Sequence, residues 1–534
     1  MKKLSLITSR KNKLAGILDF DASQLDNLLN KYGIRNTWRG LLASHIQGDK
    51  RFAYILETPE FKGAKFFDED VLSGLSIGEI GVLYEYSVTR VNSDSRKSNG
   101  QFFTPDDVAI FMAEFSRKFP SGKWLDPCSG IGNLSWHLVA IQDDPEQFLK
   151  EKLILSDKDK LALLIARTLL TISFQRKRKN LFNEIAKNFV ELDFLSVSSN
   201  EKFLNFDTSN SLDAIPRHDY VIVNPPYLAT EVDARFETAR ARDLYAYFME
   251  NIIKTSKGFI SVTPQSFTNA GKFEDLRRLL LNNYNKVTIF NFDNVPANIF
   301  RGIKFGSKNS NTANSIRAAI TVAQPGRGKR QITSLLRWRS HEREDLFRHA
   351  PRHLSSVEFS EVFFPKVSKR FEPLYSQVCQ LPRLGGTISR TETPYSLFVP
   401  SSPRYFISAL KKPVKRASQH EIFFNSAKDR DIAYLLLNSS FMYWWWRVRD
   451  GGMTLSQETI ISLPIPKFAY KKNLAEALEK SEKTSKVYKQ NAGSAQENVK
   501  HSMELIHELN HQVLPEYATQ LIELHQNSDI NFKL

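Results

Sequence analysis

Cysteine is nearly absent from this sequence. The 534 residues hold two, Cys128 and Cys379, which excludes a disulfide framework and fits a reducing compartment such as the cytoplasm. Long apolar runs are missing as well: nothing approaches the roughly 18 uninterrupted apolar residues of a membrane span, so no membrane partner is expected. The opening Met-Lys-Lys-Leu-Ser-Leu-Ile-Thr-Ser-Arg-Lys-Asn-Lys has only a short apolar run before more Arg and Lys, which does not make a secretory signal. Internal repeats are lacking too. What is there is an ordinary globular composition, 41% hydrophobic and 25% charged, in a length suited to roughly two to four domains.

Acidic residues are scarce in one place. Residues 301–420 contain 22 Lys+Arg but 7 Asp+Glu, a local +15 within a chain whose total is +16. Interleaved with Phe, Tyr and Trp, such a stretch reads as a surface for a polyanion; a solvated basic loop region is the alternative.

Residues 1–95 read as a helical region, with apolar residues at helical spacing in Leu-Ala-Gly-Ile-Leu-Asp-Phe from Leu14, in the stretch from Ser23 to Gly33, and from Ser76 to Val88. A turn-like break follows at Ser93-Asp94-Ser95. Over 96–330 short apolar strands alternate with helices. Lys123–Pro127, Lys152–Asp157, Asp219–Pro226, Gly258–Pro264 and Lys286–Asn294 are the strand candidates. That alternation predicts an α/β fold with a parallel sheet. Residues 331–470 are loop-rich and punctuated by proline. A tail over 471–534, rich in Glu, Lys, Ala and Leu, reads as helical.

The glycine-rich turn Asp126-Pro127-Cys128-Ser129-Gly130-Ile131-Gly132-Asn133 lies between a strand and a helix. It lacks both the G-x-G-x-x-G of dinucleotide sites and the Gly-Lys-Ser/Thr of phosphate-cradling loops. An acidic residue opens it instead, which suits a ligand carrying a cationic amine rather than a pyrophosphate. Asp157, at the tip of the next strand, is placed either to accept the two hydroxyls of a ribose or, like Asp159, to cap the following helix. Asp193 and Phe194 offer an acceptor for an exocyclic amine and an apolar plane for a purine; a plain strand end is the other reading.

The most specific signal is Asn224-Pro225-Pro226-Tyr227, ending the apolar strand from Asp219. Two prolines stop the ladder and stiffen the backbone. They fix an amide oxygen, a backbone carbonyl and an aromatic face together. The Asn224 oxygen and the Pro225 carbonyl can accept both N–H bonds of a planar amine, drawing its lone pair out of the ring system, while Tyr227 stacks on the base.

With these residues in view, the sequence resembles the adenine-specific DNA methyltransferases that use S-adenosylmethionine, in the gamma arrangement of restriction-modification enzymes. Gln101-Phe102-Phe103-Thr104-Pro105, the glycine turn, Asn224–Tyr227 and a basic recognition region follow in that family's order, and Asp243-Leu244-Tyr245 and Phe292–Gly302 also match. The resemblance covers about 80–330 well. It implies a Rossmann-like catalytic domain followed by a target recognition domain over 331–470, with helical flanks. It also implies that Thr104 holds the methionine end of the cofactor. Asp126, Cys128, Gly130 and Gly132 would hold its amino acid portion, Asp157 its ribose, and Asp193 with Phe194 its adenine. Asn224, Pro225, Pro226 and Tyr227 would act on the target base, with Phe300, near Phe292, on its opposite side. Cys128-Ser129 stands where Ala-Cys is more usual, and Lys160 replaces a commoner proline.

The implied reaction moves a methyl group to adenine N6 in duplex DNA after the base is rotated out of the stack, and it needs no metal. Duplex DNA is the implied partner, with a cognate endonuclease or specificity subunit as a further one. Phe441–Trp446, near the end of the recognition region, is expected to pack within that domain. Glu60-Phe61-Lys62 is half of a nuclease motif without its Pro-Asp, so no cleavage is expected. RNA or protein-glutamine methylation shares the Asn-Pro-Pro-Tyr motif, and a catalytically idle DNA-binding subunit is the alternative of another class.

Overall fold

Near-continuous apolar runs of four to seven residues, each followed by a helical segment, are what a sheet buried on both faces requires. In the computed structural model they form one. The structure describes residues 22–91, 104–177, 179–196, 215–300, 316–403, 405–416, 418–450, 454–491, 494–527 and 531–533. Within these, two compact units separate: 22–91, 104–267, 271–289 and 298–329 on one side, and 268–270, 290–297 and 330–533 on the other.

The first unit is built on β1 (Trp124–Asp126), β2 (Leu153–Asp157), β3 (Phe189–Glu191), β4 (Tyr220–Val223), β5 (Gly258–Pro264), the 286–289 part of β6 (Lys286–Phe292) and β7 (Ala318–Gln324). Their order is β3-β2-β1-β4-β5-β7-β6. The first five are parallel, and β7 runs antiparallel against β5. The run 3-2-1-4-5 is the Rossmann order, modified by that inserted strand. Its reversal falls between β1 and β4, so the crevice at their carboxyl ends is where such a sheet binds ligands. All the strand candidates of 96–330 are present. The helices Lys160–Phe174 and Leu244–Thr255 follow β2 and β4 in the chain.

Two N-terminal helices belong to this same unit. Ala22–Gln47 is broken at Gly33, whose φ of +70° only glycine adopts readily, and Ile77–Val91 packs beside it through a Trp38–Tyr84 edge contact. Glu60 is held by Arg167 Nη1 at 2.8 Å, a structural ion pair. The helix expected from Leu14 to Phe20, the break at Ser93–Ser95, Gln101–Phe103, Arg301–Gly302 and the first part of the basic stretch, 301–315, lie outside the described residues.

The second unit contains β8 (Arg330–Leu336), beside the Phe290–Phe292 end of β6, and an antiparallel pair, β9 (Ser396–Pro400) and β10 (Gln419–Phe423). The aromatic run forms helix Ser440–Arg449, with every residue from Phe441 to Trp446 buried, so it is core. Asp293 accepts from both Arg337 (2.5 Å) and Arg447 (2.9 Å), all three buried. Arg337, Arg343 and Lys366 are buried, so the charge count of 301–420 overstates its surface charge.

The tail departs from expectation. Helices Lys472–Thr484, Met503–Val513 and Ala518–Gln526 form, but β11 (Lys486–Asn491) and β12 (Ser494–Val499) make an antiparallel hairpin between them. Val487, Tyr488 and Val499 carry strand propensity, and Asn491-Ala492-Gly493 is a turn sequence. The surrounding Glu, Lys and Ala masked that signal. No helix among the described residues is long and apolar enough to cross a membrane.

Candidate functional site

β1 ends at Asp126, and the backbone turns at once into helix Asn133–Ala140. Gly130 (φ +51°) and Gly132 (φ +84°) take left-handed conformations there. A Cβ on Gly132 would also stand 3.1 Å from Ala166 Cβ, so only glycine lets the turn lie this close to its neighbour. The Gly130 N–H donates to Asp157 Oδ2 at 2.8 Å, tying the turn to the tip of β2. Asp157 Oδ1 accepts from the Asp159 N–H at 2.9 Å. Asp159 is the residue that caps the next helix, its Oδ1 accepting from Leu161 and Ala162. The capping alternative therefore falls to Asp159, and Asp157 is left facing the crevice.

A cavity of about 420 Å³ opens over this turn. Thr104, Asp126, Cys128, Gly130, Asp157, Asp193, Phe194, Asn224 and Pro226 line it; Gly132, Pro225, Tyr227 and Phe300 do not. Its charge is opposite to that of the chain. Glu85, Asp126, Asp157, Asp159 and Asp193 face a single lining cation among the described residues, Lys158. Phe194 stacks on Phe248 with centroids 5.2 Å apart, giving an apolar plane beside Asp193.

Asp126 is only partly satisfied. Its Oδ2 accepts from Ser135 Oγ at 2.9 Å, while Oδ1 is buried with no hydrogen-bond partner among the described residues. Burial pushes its carboxyl up to about 7, against hydrogen bonding from Ser135 and the Cys128 backbone and with help from the Asp157 charge. Burial also raises Asp157. An ammonium brought to Oδ1 would supply the partner it lacks and favour the charged carboxylate. The donor set therefore fits the cationic, ribose-bearing S-adenosylmethionine and disfavours a pyrophosphate.

β4 delivers Asn224 to the same cavity. Its Nδ2 donates to Thr104 Oγ1 at 2.9 Å, and the Thr104 carbonyl accepts from Asn133 Nδ2 at 2.6 Å. The Tyr227 hydroxyl lies 2.6 Å from Asn224 Oδ1 and 2.7 Å from the Val262 carbonyl, and its one proton serves either acceptor. Cys128 Sγ donates to the Asn224 carbonyl at 3.2 Å. Burial raises both the Cys128 thiol and the Tyr227 phenol, so both stay neutral. Tyr227 meets Phe300 edge-on, with centroids 5.9 Å apart. Phe292 packs instead on Trp338 in the second unit.

Residues 151–300 match the Eco57I restriction-modification methylase family. That span holds Asp157, Asp193, Phe194, the whole Asn224–Tyr227 motif and Phe300. The chain is similar to the Type II methyltransferase M.BsuBI of Bacillus subtilis, 26% identical over 210 residues, covering 34% of this chain and 37% of that protein. It is similar also to the Type II methyltransferase M.PstI of Providencia stuartii, 25% identical over 211 residues, covering 37% and 39%. The matched region thus spans less than two fifths of either relative. Among solved structures, the DrdV–DNA complex aligns over 62% of this chain and 39% of that one at 16% identity, TM-score 0.42, a distant likeness.

Asn133, Ser135 and Phe248 also belong to the site. Asn133 closes the glycine turn in sequence, Ser135 lies in the first turn of that helix, and Phe248 lies one turn inside its own. A search of helix starts after each strand tip would have found them.

Proposed function

We propose that this chain transfers a methyl group from S-adenosylmethionine to the N6 amine of adenine in duplex DNA, as the modification enzyme of a cytoplasmic restriction-modification system. The observation that carries this reading is the joining, in one acidic cavity, of an unpartnered Asp126 oxygen with the oriented Asn224 amide. The first suits a cationic amino acid moiety, the second an amine about to become a nucleophile.

In this reading Asp126 takes the cofactor's ammonium, Asp157 its ribose, and Asp193 with Phe194 its adenine. The bound cofactor supplies a methyl group on a sulfonium, already an activated leaving group. Thr104 turns the Asn224 amide so that Oδ1 accepts one N–H of the target amine, and the Pro225 carbonyl accepts the other. Holding both N–H groups aims the nitrogen lone pair at the methyl carbon, so orientation supplies much of the acceleration. As the second N–C bond forms, the methyl–sulfur bond breaks and its electron pair stays on the neutral thioether; the amine, briefly cationic, gives one proton to water and keeps its one remaining N–H on Asn224 Oδ1 or the Pro225 carbonyl.

A base between Tyr227 and Phe300 needs a gap of about 7–8 Å, two stacking contacts, against the present edge contact. Entry of the flipped adenine therefore goes with separation of these rings. Unstacking costs a few kcal/mol, offset by phosphate and groove contacts from the basic residues after 300. Residues 96–330 act as the catalytic part and 331–470 as the recognition part in this scheme, with a cognate endonuclease or specificity subunit as further partner.

Tritiated methyl transfer to DNA, RNA and protein, by wild type and Asn224→Ala, tests the proposal. Label confined to DNA and lost in the variant supports it. Preference for RNA or protein, or an unimpaired variant, contradicts it.

A further inference from the structure

The N-terminal helix Ile77–Val91 lies outside the segment whose motifs make the cofactor site, yet Gly81, Tyr84, Glu85, Val88 and Thr89 form one wall of that cavity. We infer that this helix is a working part of the cofactor site, and that Tyr84 is a positioning residue for the carboxylate that receives the ribose. The inference rests on the cofactor reading above.

The connection is a continuous chain of hydrogen bonds. Tyr84 Oη donates to Asp159 Oδ2 at 2.5 Å. The other Asp159 oxygen is committed to the helix cap at Leu161 and Ala162. The Asp159 N–H donates to Asp157 Oδ1, and Asp157 Oδ2 receives the Gly130 N–H. Fixing Asp159 therefore fixes the backbone that fixes Asp157, and Asp157 fixes the glycine turn.

Charge gives this chain its purpose. Asp126, Asp157 and Asp159 crowd the same rim, and mutual repulsion favours swinging one of them outward. A phenol donor on Asp159 offsets that repulsion without introducing a competing cation. It also keeps the Asp159 carboxylate from taking the ribose hydroxyls meant for Asp157. Burial and the neighbouring carboxylate raise the Tyr84 phenol far above its ordinary value, so it remains a donor throughout the working pH range.

Tyr84→Phe removes the donor and keeps the ring packed on Trp38. Tyr86→Phe is the control on the same helix: its hydroxyl reaches Asp26 Oδ1 at 2.9 Å, and it does not line the cavity. Calorimetric titration of the full chain with S-adenosylhomocysteine, beside DNA-binding anisotropy, separates the possibilities. Tyr84→Phe should weaken S-adenosylhomocysteine about fivefold to tenfold, the net worth of one hydrogen bond, and leave DNA affinity alone. Tyr86→Phe should change neither. Wild-type affinity in Tyr84→Phe, or an equal loss in Tyr86→Phe, would overturn the inference while the cofactor reading stands. A wild-type chain that does not bind the probe would overturn both.

Discussion

Asn224 Nδ2 donates to Thr104 Oγ1 at 2.9 Å across 120 residues of sequence. In the proposed mechanism that bond holds the amide with Oδ1, which also lies 2.6 Å from the Tyr227 hydroxyl, turned to accept from the target amine. Thr104→Val removes the acceptor at nearly constant volume and lets the amide rotate. Single-turnover methyl transfer should slow about tenfold, roughly 1.4 kcal/mol, while Thr104→Ser stays near wild type. Equal rates for Val and wild type would detach Thr104 from the orientation of Asn224.

With Asp126 taking the cofactor's ammonium, as proposed, cofactor binding depends on pH. The carboxyl's folded-state value is raised to about 7, and binding a cationic amine needs the charged form. Affinity for S-adenosylmethionine should therefore fall as pH drops below about 7, and Asp126→Asn should bind weakly with a flatter profile. Isothermal titration between pH 5.5 and pH 8.5, roughly bracketing that value, checks this.

The same shift acts on the ligand-free chain with a definite sign. A carboxyl raised in the folded state adds stability that is fully present below its unfolded value of 3.8 and is lost as pH rises through about 7. Asp126→Asn should thus melt near wild type in acid and above it in mild alkali. Thermal scans at the two extremes of pH show whether the gap opens in that direction.

Asp293 bridges Arg337 and Arg447 in the interior of the second unit. Removing the acid leaves two buried cations facing each other. Asp293→Ala should destabilise that unit by about 3–5 kcal/mol in urea denaturation. A loss below about 1 kcal/mol would mean the arginines find other partners.

Salt separates a phosphate-binding surface from a solvated loop region. DNA affinity should fall linearly in log–log form as salt rises, with a slope set by the phosphates neutralised. Because Arg337, Arg343 and Lys366 are buried, that slope should be smaller than a count of cations over 301–420 suggests. A flat response would remove this stretch from DNA binding.

Much of the first unit is readable from residue order, since each strand tip in an α/β sheet presents a short motif to one edge. Asp126, Asp157, Asp193 and Asn224 are separated by dozens of residues yet line a single cavity. The wall from Tyr84 was not readable, because such a partner comes from a helix face whose docking no local pattern encodes. Charge counting over 301–420 failed similarly in the second unit: Arg337 looks like a surface cation in sequence and is held inside by Asp293, from a distant strand end. The β11–β12 hairpin was hidden by the helix-forming residues on either side of it.

Nucleoside mass spectrometry of duplex DNA incubated with the chain and S-adenosylmethionine tests the central claim most directly. N6-methyladenine should appear, and should vanish with Asn224→Ala. A methylated cytosine in its place, or DNA left unmethylated while RNA or protein carries the label, would contradict the account.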